Sequence, residues 1–166
     1  MKFEVDVSGY DLFNDTYVIC IARDDGEIIK GFKFNKELTE KIIKNWKNNK
    51  YRYEYNAFET KRGLLKVRIY SIILYYLFNS IEKPDFLSLT LCRDFKGRNN
   101  EITQSLKYFI ETILKIKMGK PLFQRLASSS HAHIYASMMR RDNKNLLSTY
   151  VKISLEDIEK FLRKRN

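Results

Sequence analysis

Cysteine is scarce in this chain of 166 residues: Cys20 and Cys92 are its only two, and no Cys-x-x-Cys pair exists. The disulfide framework of a small secreted domain is thereby excluded. Each cysteine falls inside an apolar, strand-like run, so buried free thiols in a reducing, cytoplasmic compartment are expected. Long apolar runs are missing too. The most hydrophobic stretch, Leu64–Ile81, carries Lys66, Arg68, Ser71 and Asn79, and its unbroken part, Ile72–Phe78, is seven residues. That is too short to span a bilayer and reads as a deeply buried helix, with no membrane partner. The chain opens on a strand after a single lysine, so a secretory leader is not expected. There is no Gly-x-x-x-x-Gly-Lys-Ser/Thr or Gly-x-Gly-x-x-Gly loop, which argues against a P-loop or dinucleotide enzyme. No Gly-x-Ser-x-Gly nucleophile elbow occurs, and there are no repeats or low-complexity segments.

What is present is the composition of one globular domain, with 44% hydrophobic and 14% aromatic residues in a chain long enough to bury a core. The formal charge is +11 and uneven: residues 1–91 hold 15 basic and 13 acidic side chains, residues 92–166 hold 16 and 7. An excess of that size in one half favours a polyanionic partner, RNA, DNA or a hybrid. A lysine-rich background composition would give the same totals.

The chain opens with an alternating strand in which Phe3, Val5 and Val7 share one face and Glu4, Asp6 and Ser8 the other. A Gly-containing turn leads to a second strand at Thr16–Ala22, and an Asp-Asp-Gly turn to a third at Glu27–Phe34. Asn35 is placed to cap a short helix with an apolar stripe of Leu38, Ile42, Ile43 and Trp46. The aromatic link that follows (Trp46, Tyr51, Tyr53, Tyr55 among Lys47, Lys50 and Arg52) reads as half-buried packing or as a base-stacking platform. A long helix from about Ala57 to Ile81 is apolar all round in its later turns and must be central. The pattern then predicts a strand at Asp85–Cys92, an amphipathic helix at Arg98–Lys117, a fifth strand at Leu122–Leu126 and a helix at His131–Arg141 capped from Ser128-Ser-Ser. A short strand at Thr149–Ile153 and a capping-box helix from Ser154 end the chain. The expected architecture is α/β: a mixed five-stranded sheet, an antiparallel three-strand meander plus two parallel strands, with helices on both faces. Residues 1–147 would form the domain and 148–166 a strand-helix extension packed on it.

The opening Asp6-x-Ser8-Gly9, with Thr16 introducing a second strand, resembles the first-strand motif of the ribonuclease H-like superfamily. That superfamily includes ribonucleases H, Holliday-junction resolvases and transposase catalytic domains. The order of elements is similar, and Ser130-His-Ala-His-Ile-Tyr-Ala resembles the helix opening that carries the family's last acid. The resemblance covers most of residues 1–142. It implies an acid in the first strand, one early in the long helix, one after strand four and a last ligand on the helix after strand five. The matching positions are Asp6, Glu59, Asp94 and His133, with Asp142 a rival for the fourth. The helix at Lys36–Lys47 is an insertion relative to the minimal fold, and His133 stands where an acid is commoner. The implied activity is phosphodiester hydrolysis with two Mg²⁺ or Mn²⁺ ions about 3.5–4 Å apart, held by carboxylate oxygens. Asp6 would bridge both ions, Glu59 and Asp94 would take one each, and His133 would ligate or shuttle a proton. Arg93, Lys96, Arg98, Arg140, Arg141 and Lys144 would hold the phosphate backbone. Junction resolution would require a homodimer.

Each residue also has a plainer reading. Asp6 can be a solvent-facing strand acid, Asp94 a turn residue before Lys96-Gly97, Glu59 a complement to the helix N-terminus and His133 a packed or exposed helix histidine. His131 and His133 make a poor zinc pair, lying about 200° apart around a helix. Asp11, Asp15, Asp24 and Asp25 read as turn formers. An actin-like ATPase also starts on an Asp-bearing strand, but it needs two such domains. The main rival is a non-catalytic basic nucleic-acid-binding or protein-interaction module of the same fold.

Overall fold

A computed structural model describes residues 1–14, 16–55 and 59–164, with backbone only for 59–62. Strands β1 (Lys2–Ser8), β2 (Val18–Arg23) and β3 (Ile29–Lys33) form an antiparallel meander. Strand β4 (Phe86–Leu91) pairs parallel to β1, with Phe3 opposite Leu89 and Val5 opposite Leu91. On the far side of β4 lie two two-residue strands, β5 (Lys117–Met118) and β6 (Leu122–Phe123), both parallel to it. The main order is β3-β2-β1-β4-β5 in a mixed sheet of six strands. The fold is α/β.

The expected fifth strand, Leu122–Leu126, is therefore corrected to two fragments. Its ladder begins earlier, at Lys117, and breaks at Gly119-Lys120-Pro121. Pro121 has no N–H to donate, so pairing resumes only at Leu122. The expected helix at Arg98–Lys117 is likewise shorter: α3 (Asn99–Leu106) passes into a π-helical segment (Lys107–Ile113). Within that segment the neighbours Phe109 and Ile110 are both fully buried. The strand expected at Thr149–Ile153 reduces to one parallel bridge, Tyr150 to Gly31, which covers the outer edge of β3.

Alternation along β1 divides the molecule. Phe3 and Val5 join the main core beneath α2 (Glu59–Asn79), a helix with Leu65, Ile69, Ile72, Ile73 and Leu77 buried. Fully apolar in its later turns, α2 lies against β2 and β3, with α3 packed on it. The opposite face of the sheet is covered by α4 (His131–Arg141), which crosses β1, β2 and β3. Small residues set its approach: Ala132 and Ala136 are buried, and Met139 packs with Val18 and Cys20. Gly31 on β3 makes this possible, because a Cβ there would stand 2.4 Å from Met139 Cε. Among the described residues, no helix is long and apolar enough to cross a membrane.

Helix α1 (Lys36–Lys47) has its cap as expected, Leu38 N–H donating to Asn35 Oδ1 at 2.8 Å. Trp46 and Tyr51 are 1% and 0% exposed, and Trp46 Nε1 donates to the Tyr53 carbonyl at 3.0 Å, so the link is packing and not a stacking platform. The C-terminal helix α5 (Leu155–Glu159) keeps the capping box of Ser154 and Asp157 and contacts α1 and α2. Arg52 N–H donates to the Leu162 carbonyl at 2.9 Å, so residues 148–164 pack on the domain. Asp15 and the Ala57 start of the long helix lie outside the described residues.

Candidate active site

The sheet carries β1 and β4 side by side and parallel, so their carboxyl ends open at the same edge. Asp6 stands two residues from the end of β1, and Asp94 three residues beyond β4. Asp6 is 7% exposed, because β1 is central and α4 covers the Glu4–Asp6 face. A solvent-facing edge acid is excluded. Ser130 fixes the start of α4 over this face: its hydroxyl accepts from His133 N–H and donates to the Glu4 carboxylate. His133 then lies one helical turn in, with Nδ1 2.8 Å from Asp6 Oδ2. The contact orients the ring through Nδ1 and leaves Nε2 without a part in it.

Asp6, Asp94 and His133 line one cleft of about 380 Å³, together with Val7, Cys92, Arg93, Arg125 and Leu126. The Asp94 carboxylate accepts a hydrogen bond from the hydroxyl of Tyr17, a side chain 1% exposed. Burial pushes the Asp94 carboxyl above the usual range, and the negative charges of Asp6 and Asp11 add to the rise. The Tyr17 bond and the Lys66 charge work in the opposite direction. Burial, then Asp94, raise the Tyr17 phenol well above its ordinary value, so it is a fixed donor. The Cys92 thiol is raised by burial and by Asp6, which accepts from it. Cys20 is pushed up to about 12 by burial and Asp6. Both cysteines are free thiols, neither poised as a nucleophile. Cys20 is buried, but Cys92 is only partly so and faces the cleft, which corrects the expectation of two buried thiols.

Of the four ligand positions implied by the resemblance, three reach this cleft. The side chain of Glu59, at the first residue of α2, lies outside the described residues. Asp142 does not compete for the fourth place. It caps the turn after α4, accepting from Leu146 N–H, Leu147 N–H and the Tyr150 hydroxyl, bonds that hold its carboxyl below the usual range. The six basic positions divide. Arg93 lines the cleft and donates to the Phe123 carbonyl, and Lys96 and Arg98 line a neighbouring cleft that shares Asp94. Arg140 instead lines a separate hollow with Lys33, Lys36 and Lys152, and Arg141 at the end of α4 and Lys144 just after it are exposed. Sequence reasoning missed Tyr17 and Arg125. No local signal marks either, since each matters only through what the fold sets beside it.

The donor set suits a hard divalent cation in kind, with two carboxylates whose mutual repulsion a cation would relieve. In number it is short: among the described residues, no group of three or more His, Cys, Asp or Glu is arranged to hold a metal ion. His131 is not a ligand partner for His133; its ring lies against Gly26. Compared with known proteins, the chain matches no family model and no curated protein.

Proposed function

We propose that this chain is a divalent-metal-dependent nuclease of ribonuclease H-like architecture that hydrolyses phosphodiester bonds in nucleic acid. The observation that carries the reading is the meeting of Asp6 and Asp94, from the carboxyl ends of two parallel strands, in one cleft with Arg93, Arg125 and His133. The strand order supports it, because a meander followed by strands parallel to β1 brings those two acids together. Asp6 and Asp94 would hold Mg²⁺ or Mn²⁺, with Glu59 and His133 Nε2 as further donors. A bound cation supplies charge neutralisation at the phosphate and a more acidic water. The chain does the rest. Arg93 and Arg125 carry the charge that attracts and orients a phosphate. Tyr17 fixes the Asp94 carboxylate by donating to it. Asp6 orients the His133 ring, so that Nε2 would serve either as a further donor to the cation or, with the cation held by the carboxylates alone, as the group that accepts or returns a proton.

A second reading is a basic module that binds nucleic acid without cutting it. It is favoured by the short ligand set among the described residues. Labelled single strands, RNA–DNA hybrids and branched DNA, incubated with Mg²⁺ or Mn²⁺, discriminate the two. Cleavage by the wild type that is lost in Asp6→Asn supports the nuclease. Cleavage that survives Asp6→Asn sinks the mechanism, and salt-sensitive binding with no metal-dependent cleavage gives the second reading.

A further inference from the structure

The edge of the sheet where β1 and β4 end holds another concavity, of about 550 Å³, beside the end of β3. Its rim gathers Lys33 from β3, Lys36 from the start of α1, Arg140 from the last turn of α4, and Lys152 from the segment bridged to β3 at Gly31. Among the described residues, no acid lines it. Cations from four separate stretches of chain repel one another where the fold collects them, and an anion between them would relieve that repulsion.

The charge is not cancelled within the chain. Lys33 Nζ donates to the Asp142 carbonyl at 2.7 Å and to Asn145 Oδ1 at 3.1 Å, both neutral acceptors. Burial holds its ammonium below the ordinary lysine value, and the Asp142 carboxylate opposes this only in part. That carboxylate is itself engaged by Leu146 N–H, Leu147 N–H and the Tyr150 hydroxyl. Lys36 Nζ lies 3.8 Å from Glu40, with the two side chains 89% and 65% exposed, a pair too long and too wet to neutralise it. Lys152 is exposed and makes no ion pair among the described residues.

The hollow also lies in line with the acid cleft. Ser8 of β1 stands opposite Val18, and Val18 opposite Lys33, so Lys33 is two strands, about 10 Å, from the end of β1. Helix α4 joins the two places. His133 in its first turn lies on Asp6, and Arg140, seven residues later, is about 10 Å further along the axis.

We propose that this hollow is a second nucleic-acid contact, in which Lys36 and Lys152 hold backbone phosphates while Lys33 and Arg140 contribute charge. It rests on the reading of the Asp6–Asp94 cleft as a nucleic-acid site and extends that footprint along the sheet edge to α1. Phe32 and Phe34 in its lining are 7% and 0% exposed, and Tyr150 is half-buried with its hydroxyl on Asp142, so no ring stands out for a base. The grip is therefore on phosphates, independent of sequence, and takes single strands and duplexes alike.

The test is fluorescence anisotropy, without divalent metal, of a labelled single-stranded 12-mer and its duplex over a range of salt concentrations. Wild type is compared with Lys36→Gln/Lys152→Gln and with Lys2→Gln/Lys83→Gln, a pair of exposed lysines at the opposite edge of the sheet that removes the same net charge. The hollow pair weakens both probes by roughly tenfold or more at about 0.1 M salt, and its log–log salt slope is shallower by about 1.8 for duplex and about 1.4 for single strand. The control pair binds within about twofold of wild type, and Lys36→Arg/Lys152→Arg, which keeps both charges, restores binding. Equal binding by the hollow pair and wild type overturns the site, as does an equal loss for the two Gln pairs, which makes net charge alone the cause. The nuclease reading fails separately: hollow-dependent binding with no metal-dependent cleavage rejects catalysis alone. A wild type that binds neither probe rejects both.

Discussion

Tyr17→Phe removes one oxygen from the site and leaves the packed ring in place. Tyr17 is 1% exposed and its hydroxyl donates to the Asp94 carboxylate, so the change deletes a hydrogen bond to an acceptor that carries charge. Such bonds contribute roughly 1.5–3 kcal/mol net. Water in the cleft can reach Asp94 and replace part of the loss, which brings the expectation to about 1–1.5 kcal/mol at pH 7. The bond is also one of two influences that lower the Asp94 pKa; without it, burial, Asp6 and Asp11 raise the carboxyl further. A more readily protonated Asp94 favours its charged form less in the fold, so the stability loss is larger at pH 7 than near pH 4. Under the proposed nuclease reading, in which the ionised carboxylate would be the working form, the same shift moves the acid limb of the cleavage rate towards higher pH. Urea unfolding at the two pH values and a pH–rate profile check both arms. A variant as stable as the wild type, with its acid limb unmoved, would refute the role given to Tyr17.

Two other perturbations follow from the same geometry. Asp94→Asn keeps an oxygen for Tyr17 to donate to and removes a charge that the fold disfavours, so the variant is stabilised at pH 7; under the proposed nuclease reading it also loses cleavage. Because the folded carboxyl is raised, that gain is full above its folded pKa. It fades as pH falls through the ordinary carboxylate range near 3.9, and it stays below about 1 kcal/mol since the cleft is open to water. Denaturant midpoints of both proteins across pH 3–8 read this directly, and a less stable variant at pH 7 contradicts it. Gly31→Ala drives a methyl to 2.4 Å from Met139 Cε, so a fully buried side chain must move by more than an ångström. Overpacking of about 1–3 kcal/mol, less about 0.4–1 kcal/mol from a stiffer unfolded chain, leaves a net loss of roughly 0.5–2 kcal/mol in urea unfolding.

Much of this architecture was legible because period-2 and helical patterns were strong where burial was complete. The alternation of Phe3, Val5 and Val7 with Glu4 and Asp6 fixed which face of β1 is apolar, and the acids lie on the other. The unbroken apolar run in α2 marked a central helix. The strand beyond β4 was not legible. Lys117–Met118 continues an amphipathic pattern and looks helical, and the proline that splits the ladder reads as a simple terminator. In the site, Asp6, Asp94 and His133 are three of the positions that the resemblance to the ribonuclease H-like superfamily implies, and they line one cleft. Tyr17 looked like any core aromatic of an apolar strand. Its hydroxyl acquires meaning only when the loop after β4 brings Asp94 to it. Asp142 looked like a rival ligand until its three local hydrogen bonds were visible.

The central claim is that Asp6 and Asp94 act as one cation site. Titration of Mn²⁺ followed by electron paramagnetic resonance, with wild type, Asp6→Asn and Asp94→Asn, tests it without requiring a substrate. The account predicts saturable Mn²⁺ binding by the wild type, weakened roughly tenfold or more by either substitution. Binding that is unchanged in both variants, or no saturable binding by the wild type, would contradict it.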